Sequence, residues 1–474
     1  MASKGYSLVN TSVLSMPINW LGFHFQPILF AFVLLYKITP TVNWFVFAQG
    51  AALAVSAWPI FLIAERVTAS GKTAFMWSLA YLCNPFLLNA AAWDFHPVSI
   101  AVPFLALGLL AVEQKQVSLL LFVSIILLAC KEHMGLAVAG LGLLYGIRNR
   151  TWPMGVGLFI AGIAAFVIII IFVMPSYSLS GQHMMLSENM GQLSRYSWLG
   201  GSPAEIIKRI IMEPVTVSQE VFVGMGGFRY LFQLLVPFLF LSLGGILWVL
   251  PAAADLLVNL LSANPMPRSI FSYHSATLIP VLAVAAIQGS YRLSHSIRRL
   301  DNLILSYFVL IISLILGYGF APLPLHGSLN YWKANHFPST HDPTVSNIQS
   351  IIYNGSVSVQ ANIGAHFTQR GLIYHYPQKV GESDFIILRL ESPTQRIRPY
   401  DSTVVATLAH HIMMNTPEYL DSVRDLLIDE QYSIVFWQDP WLVLQRGEAT
   451  EANVAQVLDK IEILREEWLG SVSQ

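Results

Sequence analysis

Long runs of apolar residues, interrupted by short polar islands, are the feature that most constrains the fold of this chain. Residues 43–64, 153–174 and 303–320 each come close to, or exceed, the roughly 20 residues that a helix needs to cross a membrane. Only 11% of the residues are charged, whereas a soluble globular chain carries about 25%. The sequence therefore predicts an all-α integral membrane domain that crosses the lipid bilayer several times.

Basic residues indicate which loops face the cytoplasm, because Lys and Arg are retained on that side. They collect in alternate short loops, at Arg66 and Lys72, at Lys115, and at Arg148 and Arg150. The loops between them are then extracytoplasmic, as are both ends of the chain. We expect about ten transmembrane helices, at residues 43–64, 74–91, 98–112, 117–130, 134–147 and 153–174, at two short spans within 230–262 divided at Gly244-Gly245, and at 275–290 and 303–320, with a further cytoplasmic loop at Arg292, Arg298 and Arg299.

Two segments are partly apolar but are not predicted to cross the membrane. The run from Pro27 to Tyr36 is too short to cross and predicts an interfacial or re-entrant helix. A long outer loop, residues 175–229, contains isoleucines at helical spacing between Ala204 and Met212, with charged residues on the other faces. This stretch predicts a helix that lies along the membrane surface.

The character of the chain changes at about residue 322, where charged residues, Pro and Gly return. Short strand-like runs alternate there with helical patterns at 343–353, 417–429 and 451–467, which is typical of a small α/β domain. We predict a membrane domain at residues 1–321 and an extracytoplasmic α/β domain at residues 322–474. The predicted strands are Val357–Gln360, Leu372–Tyr376, Phe385–Leu390, Ile434–Trp437 and Trp441–Leu444.

Two polar islands carry the chemistry of the membrane domain. They are residues 93–97, with the sequence WDFHP, and residues 131–133, with the sequence KEH. Ionisable groups at membrane depth are costly, so they favour a functional role over an accidental one. The predicted topology places both islands on the outer face, and we expect one cavity there, lined by His24, Asp94, His96, Lys131, Glu132, His133, Arg268, Tyr273 and His274.

These residues also have structural interpretations. Asp94 is well placed to cap the helix that begins near Pro97. Lys131 and Glu132 could neutralise each other in a solvated loop. Arg268 could anchor the chain to lipid headgroups, as Tyr273 could within an interfacial aromatic belt.

Other classes of site receive little support. Asp94, His96, Glu132 and His133 are suitable ligand types for a divalent metal, but their spacing matches no zinc signature. No cofactor is otherwise indicated. The formal net charge of −1 argues against nucleic acid as a partner, and the lipid bilayer itself is the partner that the composition indicates.

Five segments of the sequence resemble the bacterial and archaeal membrane family called domain of unknown function 2079. That family is distantly similar to the C-type (GT-C) glycosyltransferases of the plasma membrane, which use polyprenyl-phosphate sugars as donors. The resemblance implies sugar transfer to an unknown acceptor at the extracytoplasmic face, with Asp94 or Glu132 as the catalytic base. It also implies that Lys131 and Arg268 stabilise the leaving phosphate, with substrate contacts from His24, His96, His133, Tyr273 and His274. The segments are Asn19–Ile28, Asn84–Pro103, Lys131–Gly135, Pro251–His274 and Val357–Tyr376.

One departure from the family pattern affects the expected activity. The family begins with an additional span and an aspartate-containing stretch similar to YDLGIFDQ, whereas this chain has no acidic residue before Glu65. We therefore expect a fragment, a misplaced start or a catalytically inactive protein. The alternative function is a transporter, or a non-catalytic membrane protein that binds a lipid or another substrate. The clustering of polar groups at one face and the lack of an internal repeat favour the enzyme.

Overall fold

The computed structural model of the protein is mostly helical and has two compact units. One unit comprises residues 19–333, and the other comprises residues 334–474 together with residues 1–18. The structure describes residues 8–12, 17–178, 180–184, 193–297, 300–328, 330, 343–391, 416–429, 431–447 and 453–470.

The unit of residues 19–333 consists of helices with breaks at capping residues and prolines. The Asn84 side chain accepts a hydrogen bond from the amide of Phe86 and so caps the helix that begins at Pro85. Lys115 and Arg150 end their helices in the left-handed conformation. The α-helices are α1 (Trp20–Phe23), α2 (Leu29–Ile38), α3 (Asn43–Val55), α4 (Ala57–Thr68), α5 (Gly71–Leu82), α6 (Pro85–Ala92), α7 (Pro97–Gln114), α8 (Val117–Cys130), α9 (Met134–Asn149), α10 (Trp152–Ile168), α11 (Met174–Ser176), α12 (Pro203–Met212), α13 (Pro214–Gln219), α14 (Gly227–Leu235), α15 (Ala253–Leu261), α16 (Leu278–Ser296) and α17 (Asn302–Phe320).

Shorter helical turns of other types join these helices. Two π-helices, Ile169–Val173 and Glu220–Gly224, continue α10 and α13. The 3-10 helices of this unit are Leu193–Tyr196, Val236–Phe238, Leu241–Ala252, Met266–Arg268 and Tyr273–Ser275.

Five helical stretches in the described part of the chain are long and apolar enough to cross a membrane. A sixth is reached if Pro214–Gly224 and Gly227–Phe238, which meet at an angle of 65°, form one broken span. Only 17% of the most apolar window of Trp152–Ser176 is buried within the protein, so most of its apolar side chains are available to lipid. The five stretches are Asn43–Thr68, Pro97–Gln114, Trp152–Ser176, Leu241–Leu261 and Asn302–Phe320.

The structure differs from the predicted spans in two places. The predicted span 74–91 is two helices, α5 and α6, because the chain breaks at Asn84 and Pro85 has no amide hydrogen to continue the helix. The run 230–262 divides at Leu239 and Phe240, both with positive φ, and Gly245 makes only a further kink.

The total of about ten spans and the side of each loop stay predictions. Helices α8 and α9 cover the predicted spans 117–130 and 134–147, and α16 covers the predicted span 275–290 from Leu278 onward, but all three fall short of a full span in length or apolarity. A helix, α12, is present at the stretch predicted to lie along the membrane surface, and α2 begins at Leu29 within the run from Pro27 to Tyr36. The position of both helices relative to a membrane stays a prediction. Arg298 and Arg299 lie outside the described residues.

Close packing fixes the helices that border the KEH island. A Cβ atom added to Gly162 would lie 2.5 Å from the backbone oxygen of Gly135, and one added to Gly142 would lie 2.6 Å from the backbone nitrogen of Phe159. Glycine at these positions therefore lets α9 and α10 approach backbone to backbone. Along α7, the side chains of Ala101, Val102, Leu105, Ala106 and Leu109 are fully buried in the core of this unit.

The second unit contains a five-stranded mixed sheet in the order β4-β3-β5-β7-β6. Strand β3 pairs in parallel with β4 and β5, while β7 pairs antiparallel with β5 and β6. Ile373 at the edge of the sheet donates its amide hydrogen to the Thr11 hydroxyl, so residues near the start of the chain belong to this unit. The strands of this sheet are β3 (Val357–Val359), β4 (Ile373–His375), β5 (Phe385–Arg389), β6 (Tyr432–Gln438) and β7 (Trp441–Arg446). The helices of the unit are α18 (Pro343–Ile351), α19 (Thr416–Ile428) and α20 (Val454–Gly470), with 3-10 turns at Ala361–Phe367 and Val380–Glu382. Near the start of the chain, β1 (Val9–Asn10) and β2 (Ile18–Asn19) are strands of two residues each.

All five predicted strands of the C-terminal region are present, which confirms a small sheet domain there. Strands β5 and β7 are buried on both faces of the sheet, as their continuous apolar residues predict. Leu388 and Leu442 lie in one buried cluster with α19 and α20, and Ile387 and Val443 lie in the other with α18.

Candidate functional site

The WDFHP island is the connection between α6 and α7. Trp93 ends α6, His96 occupies the N-cap position of α7, and Pro97 is the first helical residue. The structural interpretation of Asp94 as the helix cap is therefore wrong, and 77% of its side chain is exposed. The Asp94 carboxylate lies 3.8 Å from Nδ1 of His96, and its charge raises the pKa of the Tyr273 hydroxyl.

Gln49 holds this island in place from inside α3. Its amide nitrogen donates to the carbonyl oxygens of Ala90, at 3.2 Å, and Trp93, at 2.8 Å. Its side-chain oxygen accepts from the amide of His96 at 2.9 Å. Because Gln49 is only 2% exposed, these bonds satisfy a buried side chain and fix the path of the chain before α7.

The KEH island is the short break between α8 and α9. Lys131 directly follows α8, and His133 is the N-cap residue of α9. Together with the WDFHP island it borders a cavity of about 580 Å³. Its lining includes eight of the nine predicted site residues: His24, Asp94, His96, Lys131, Glu132, His133, Tyr273 and His274.

Glu132 is the most firmly held carboxylate in the cavity. Its oxygens lie 3.0 Å from Nδ1 of His24 and 3.2 Å from the amide nitrogen of Phe25, which donates to it. Burial alone would raise the pKa of Glu132, but the hydrogen bond to His24 and the charges of His24, Lys131 and His133 lower it to about 2. Glu132 therefore remains ionised and is a weak base.

His133 forms a second pair, with a residue from a candidate span. Its Nε2 lies 3.4 Å from Oδ1 of Asp255 in α15, and the Thr277 hydroxyl donates to the other carboxylate oxygen. Burial lowers the pKa of His133, and the charge of Asp255 opposes this effect. The pair joins the KEH island to α15 and leaves the histidine mainly neutral near neutral pH.

An aromatic stack forms another part of the wall. The rings of His96 and Tyr273 are stacked with centroids 3.6 Å apart, and Tyr273 stacks on His274 at 4.2 Å. Burial lowers the pKa of His96 and raises the pKa of the Tyr273 hydroxyl, so both groups are mainly neutral near neutral pH. The stack presents flat polar rings to the cavity.

Lys131 and Arg195 are the two cationic side chains of lysine and arginine that line the cavity. Both are half-buried. Within the described part of the chain, no hydrogen bond or ion pair involves the ammonium of Lys131 or the guanidinium of Arg195. The positive charges of Lys131 and Arg195 both lower the pKa of the Tyr273 hydroxyl, against the larger effect of burial. They are therefore available to an anionic group of a ligand.

Arg268, the ninth predicted site residue, has a different position. It is 8% exposed and does not line the cavity. Its guanidinium donates to the carbonyl oxygens of Met225, Asn259 and Leu260, at 3.1 to 3.4 Å, and to that of Ser262. These bonds satisfy carbonyl groups at the end of α15, so its contacts are those of a structural residue.

Several cavity residues were not selected from the sequence. Asp255 carried the clearest missed signal, because it is the one acidic side chain within the apolar run 230–262. His183, Arg195 and Tyr196 lie between residues 175 and 229, where many polar residues occur in the sequence and none stands out. Among the described residues, no three His, Cys, Asp or Glu side chains converge closely enough to hold a metal ion.

Comparison with known proteins identifies one family. The model of a family described as predicted membrane protein (DUF2079) matches residues 2–439. No curated protein and no solved structure matches the chain. The match confirms the resemblance noted in the sequence, while the more distant similarity to GT-C enzymes stays a prediction.

Proposed function

We propose that this chain, which belongs to the DUF2079 family of predicted membrane proteins, is a glycosyltransferase that acts at the extracytoplasmic face of a membrane. Its donor would be a sugar linked to polyprenyl phosphate, and its acceptor a hydroxyl group. The observation that carries the proposal is the presence in one cavity of an exposed carboxylate, Asp94, and of two cations, Lys131 and Arg195, that form no ion pair with a described residue. The cavity lies beside candidate membrane spans.

The two carboxylates named from the sequence receive different roles. Glu132 is held by His24 and the amide of Phe25, and its low pKa makes it a poor acceptor of a proton. Asp94 lines the cavity with 77% of its side chain exposed, and its carboxylate accepts no hydrogen bond from the residues that the structure describes. We therefore assign the base to Asp94, and Glu132 becomes a positioning residue for His24.

Asp94, Lys131 and Arg195 supply the proton acceptor and the positive charges that the proposed transfer needs. Asp94 takes the proton of the acceptor hydroxyl as its oxygen forms a bond to the anomeric carbon of the sugar. The bond between that carbon and the phosphate oxygen breaks, and its electron pair leaves with the polyprenyl phosphate. Lys131 and Arg195 stabilise the negative charge that develops on this phosphate. Attack opposite the leaving group inverts the anomeric centre.

Donor consumption by single variants tests this proposal. Membranes that contain Asp94→Asn, Lys131→Ala or Arg195→Ala should consume a radiolabelled polyprenyl-phosphate hexose at least about 100-fold more slowly than wild type, the scale for loss of a general base or of a charge-stabilising group. Glu65→Gln and Lys72→Ala are matched controls, because both residues are exposed and lie outside the cavity. Wild-type rates in all three site variants would refute the assignment.

The transporter alternative has one observation in its favour, the 65° break between Pro214–Gly224 and Gly227–Phe238. No residue of that bent pair lines the cavity. Movement of intact labelled donor across proteoliposomes, without release of sugar from the phosphate, would favour this alternative over the enzyme.

A further inference from the structure

Two histidines of the cavity are each paired with a carboxylate, and each pair contains one residue of the KEH island. Glu132 pairs with His24, and His133 pairs with Asp255. The proposed sugar transfer uses neither imidazole as a reacting group. A histidine that a carboxylate orients is suited to act as a nucleophile or as a carrier of protons. The two pairs therefore support chemistry beyond sugar transfer.

The pair of Glu132 and His24 fixes the tautomer of the histidine. An ionised carboxylate only accepts hydrogen bonds, and Oε1 of Glu132 lies 3.0 Å from Nδ1 of His24. Nδ1 therefore carries the hydrogen, and the lone pair of the neutral ring is on Nε2. His24 lines the cavity with 19% of its side chain exposed, and no residue in the described part of the chain is hydrogen-bonded to Nε2. Nε2 is thus the nitrogen with which His24 would meet a ligand.

The pair of His133 and Asp255 is suited to moving a proton. Nε2 of His133 lies 3.4 Å from Oδ1 of Asp255, and the Thr277 hydroxyl donates to the other oxygen of this carboxylate. The negative charge of Asp255 favours the imidazolium form of His133, although burial opposes it. His133 also lines the cavity, so it can give a proton to a ligand there and take one back.

The cations of the cavity lie close to these two pairs. Lys131 precedes Glu132 and His133 in the chain, and its charge lowers the pKa of both residues. Its ammonium is therefore near enough to interact with each pair. A phosphate held by Lys131 and Arg195 would share the cavity with an imidazole nucleophile and with a proton donor. Phosphoryl transfer needs these three components: cations on the phosphate oxygens, a nucleophile and an acid for the leaving oxygen.

We propose that this cavity also hydrolyses phosphate monoesters, through a phosphohistidine formed at Nε2 of His24. Nε2 attacks the phosphorus, and the bond between the phosphorus and the alcohol oxygen breaks. The electron pair of that bond goes to the alcohol oxygen, which takes a proton from the imidazolium of His133. Water then attacks the phosphorus and gives a proton back to His133. The nitrogen–phosphorus bond breaks, its electron pair returns to Nε2, and inorganic phosphate leaves.

The two activities share Lys131 and Arg195 but differ in the bond that breaks. Sugar transfer breaks the bond between the anomeric carbon and the phosphate oxygen, whereas this reaction breaks the bond between that phosphorus and the oxygen of the alcohol. The hydrolysis needs no sugar donor. The polyprenyl phosphate that the proposed transfer releases is itself a phosphate monoester, so it belongs to the substrate class inferred here.

Release of inorganic phosphate by purified full-length protein in detergent measures the activity. The probe is farnesyl phosphate radiolabelled in its phosphate group. His24→Gln and His133→Gln should release labelled phosphate at least about 100-fold more slowly than wild type, the smallest effect expected for loss of a catalytic imidazole. His295→Gln is the matched control, because this histidine is exposed near the end of α16 and does not line the cavity.

The covalent intermediate can be located without any variant. Wild-type protein quenched in alkali during turnover should carry labelled phosphate on His24, because a phosphohistidine survives alkali and is lost in acid. Mass spectrometry of proteolytic peptides identifies the labelled residue. This measurement decides the point even if His24→Gln fails to fold. Label on a different residue would overturn the assignment.

A further readout separates the positioning role of Glu132 from a purely structural one. Nitrogen NMR of labelled histidine should find the hydrogen of His24 mainly on Nδ1 in wild type. Glu132→Ala should abolish this preference and slow phosphate release by at least about tenfold, the scale of one lost hydrogen bond to a charged group. Glu132→Gln should retain part of the preference, because its amide oxygen still accepts from Nδ1. An unchanged tautomer in Glu132→Ala would contradict this role.

The outcomes separate this inference from the proposed glycosyltransferase. Phosphate release that is lost in His24→Gln and kept in His295→Gln, with label on His24, supports the inference whether or not sugar transfer is observed. Sugar transfer by a wild-type protein that releases no phosphate would refute the inference and leave the glycosyltransferase standing. Phosphate release at the wild-type rate by His24→Gln would also refute it.

Discussion

Replacement of Glu132 by Gln tests the electrostatic account of the cavity. The substitution preserves the size of the side chain and removes its charge, while His24 and the amide of Phe25 remain in place to meet it. If the carboxylate is held by these partners as the structure indicates, the neutral amide will bind them more weakly. The folded protein should lose stability even if no substrate is present.

The expected loss follows from the pKa of Glu132. A decrease from 4.5 to about 2 corresponds to about 3 kcal/mol of stabilisation of the charged form in the folded protein. Because the pKa is lowered on folding, this contribution is complete above pH 4.5, the value of the unfolded chain. It is lost as the pH falls toward 2, where the folded carboxylate is protonated.

Equilibrium unfolding by denaturant in detergent, at several pH values, measures this contribution. Glu132→Gln should lower the free energy of unfolding by about 3 kcal/mol near neutral pH, and the difference from wild type should shrink below pH 4.5. Asp94→Asn is the control, because this exposed carboxylate should contribute less than about 0.5 kcal/mol. A stability of Glu132→Gln equal to that of wild type at neutral pH would refute the reasoning.

Three further predictions concern other contacts of the same unit. Arg268→Ala should lower the free energy of unfolding by about 3 kcal/mol, because it leaves buried carbonyl groups without a donor. Denaturant unfolding measures this loss. A loss below about 1 kcal/mol, which is the contribution of a typical single hydrogen bond, would contradict the prediction. Gly142→Val should cost about 2 kcal/mol or more, because its Cβ would meet the backbone of α10, whereas Gly157→Ala, which faces open space on that helix, should be nearly neutral. Asp255→Asn should lower the pKa of His133 further, so that stability falls more steeply below about pH 6.5, and NMR titration of labelled histidine should detect the change.

The sequence predicted the C-terminal domain well because its strands are short and clearly punctuated. The continuous apolar runs at the start of Phe385–Arg389 and Trp441–Arg446 reflect strands that are buried on both faces, and these strands pair with each other in the structure. The amphipathic pattern of α12 was equally direct, since its isoleucines recur with the helical period. Local periodicity is sufficient for such elements.

The membrane-type unit was less predictable because hydropathy records apolarity and not continuity. The run 74–91 is mostly apolar, yet α5 ends at Leu82 within it and Asn84 caps the next helix. Leu239 and Phe240 break the run 230–262 although neither residue is a typical breaker, and Gly244-Gly245 had appeared the better candidate. Contacts between helices determine where such breaks occur, and the hydropathy of the sequence does not record those contacts.

The cavity shows the same division between local and long-range information. Asp94, Lys131 and Glu132 were visible because a charge inside an apolar run is costly and stands out. Arg268 also stood out, but its guanidinium is used by carbonyl groups of α15. Asp255 meets His133 only when α15 and the KEH island come together, a contact that spans 122 positions of the chain from 133 to 255. Such partners appear only in three dimensions.

The most direct test of the proposed enzyme is the fate of a doubly labelled donor in proteoliposomes. A polyprenyl-phosphate hexose labelled in the sugar and in the phosphate is incubated with purified protein and membrane extract as a source of acceptor. If the protein transfers the sugar as proposed, the two labels should separate, with sugar entering a new product and labelled polyprenyl phosphate accumulating, and Asp94→Asn should stop both. Labels that stay together with wild-type protein, whether the donor remains in place or crosses the membrane, would contradict it.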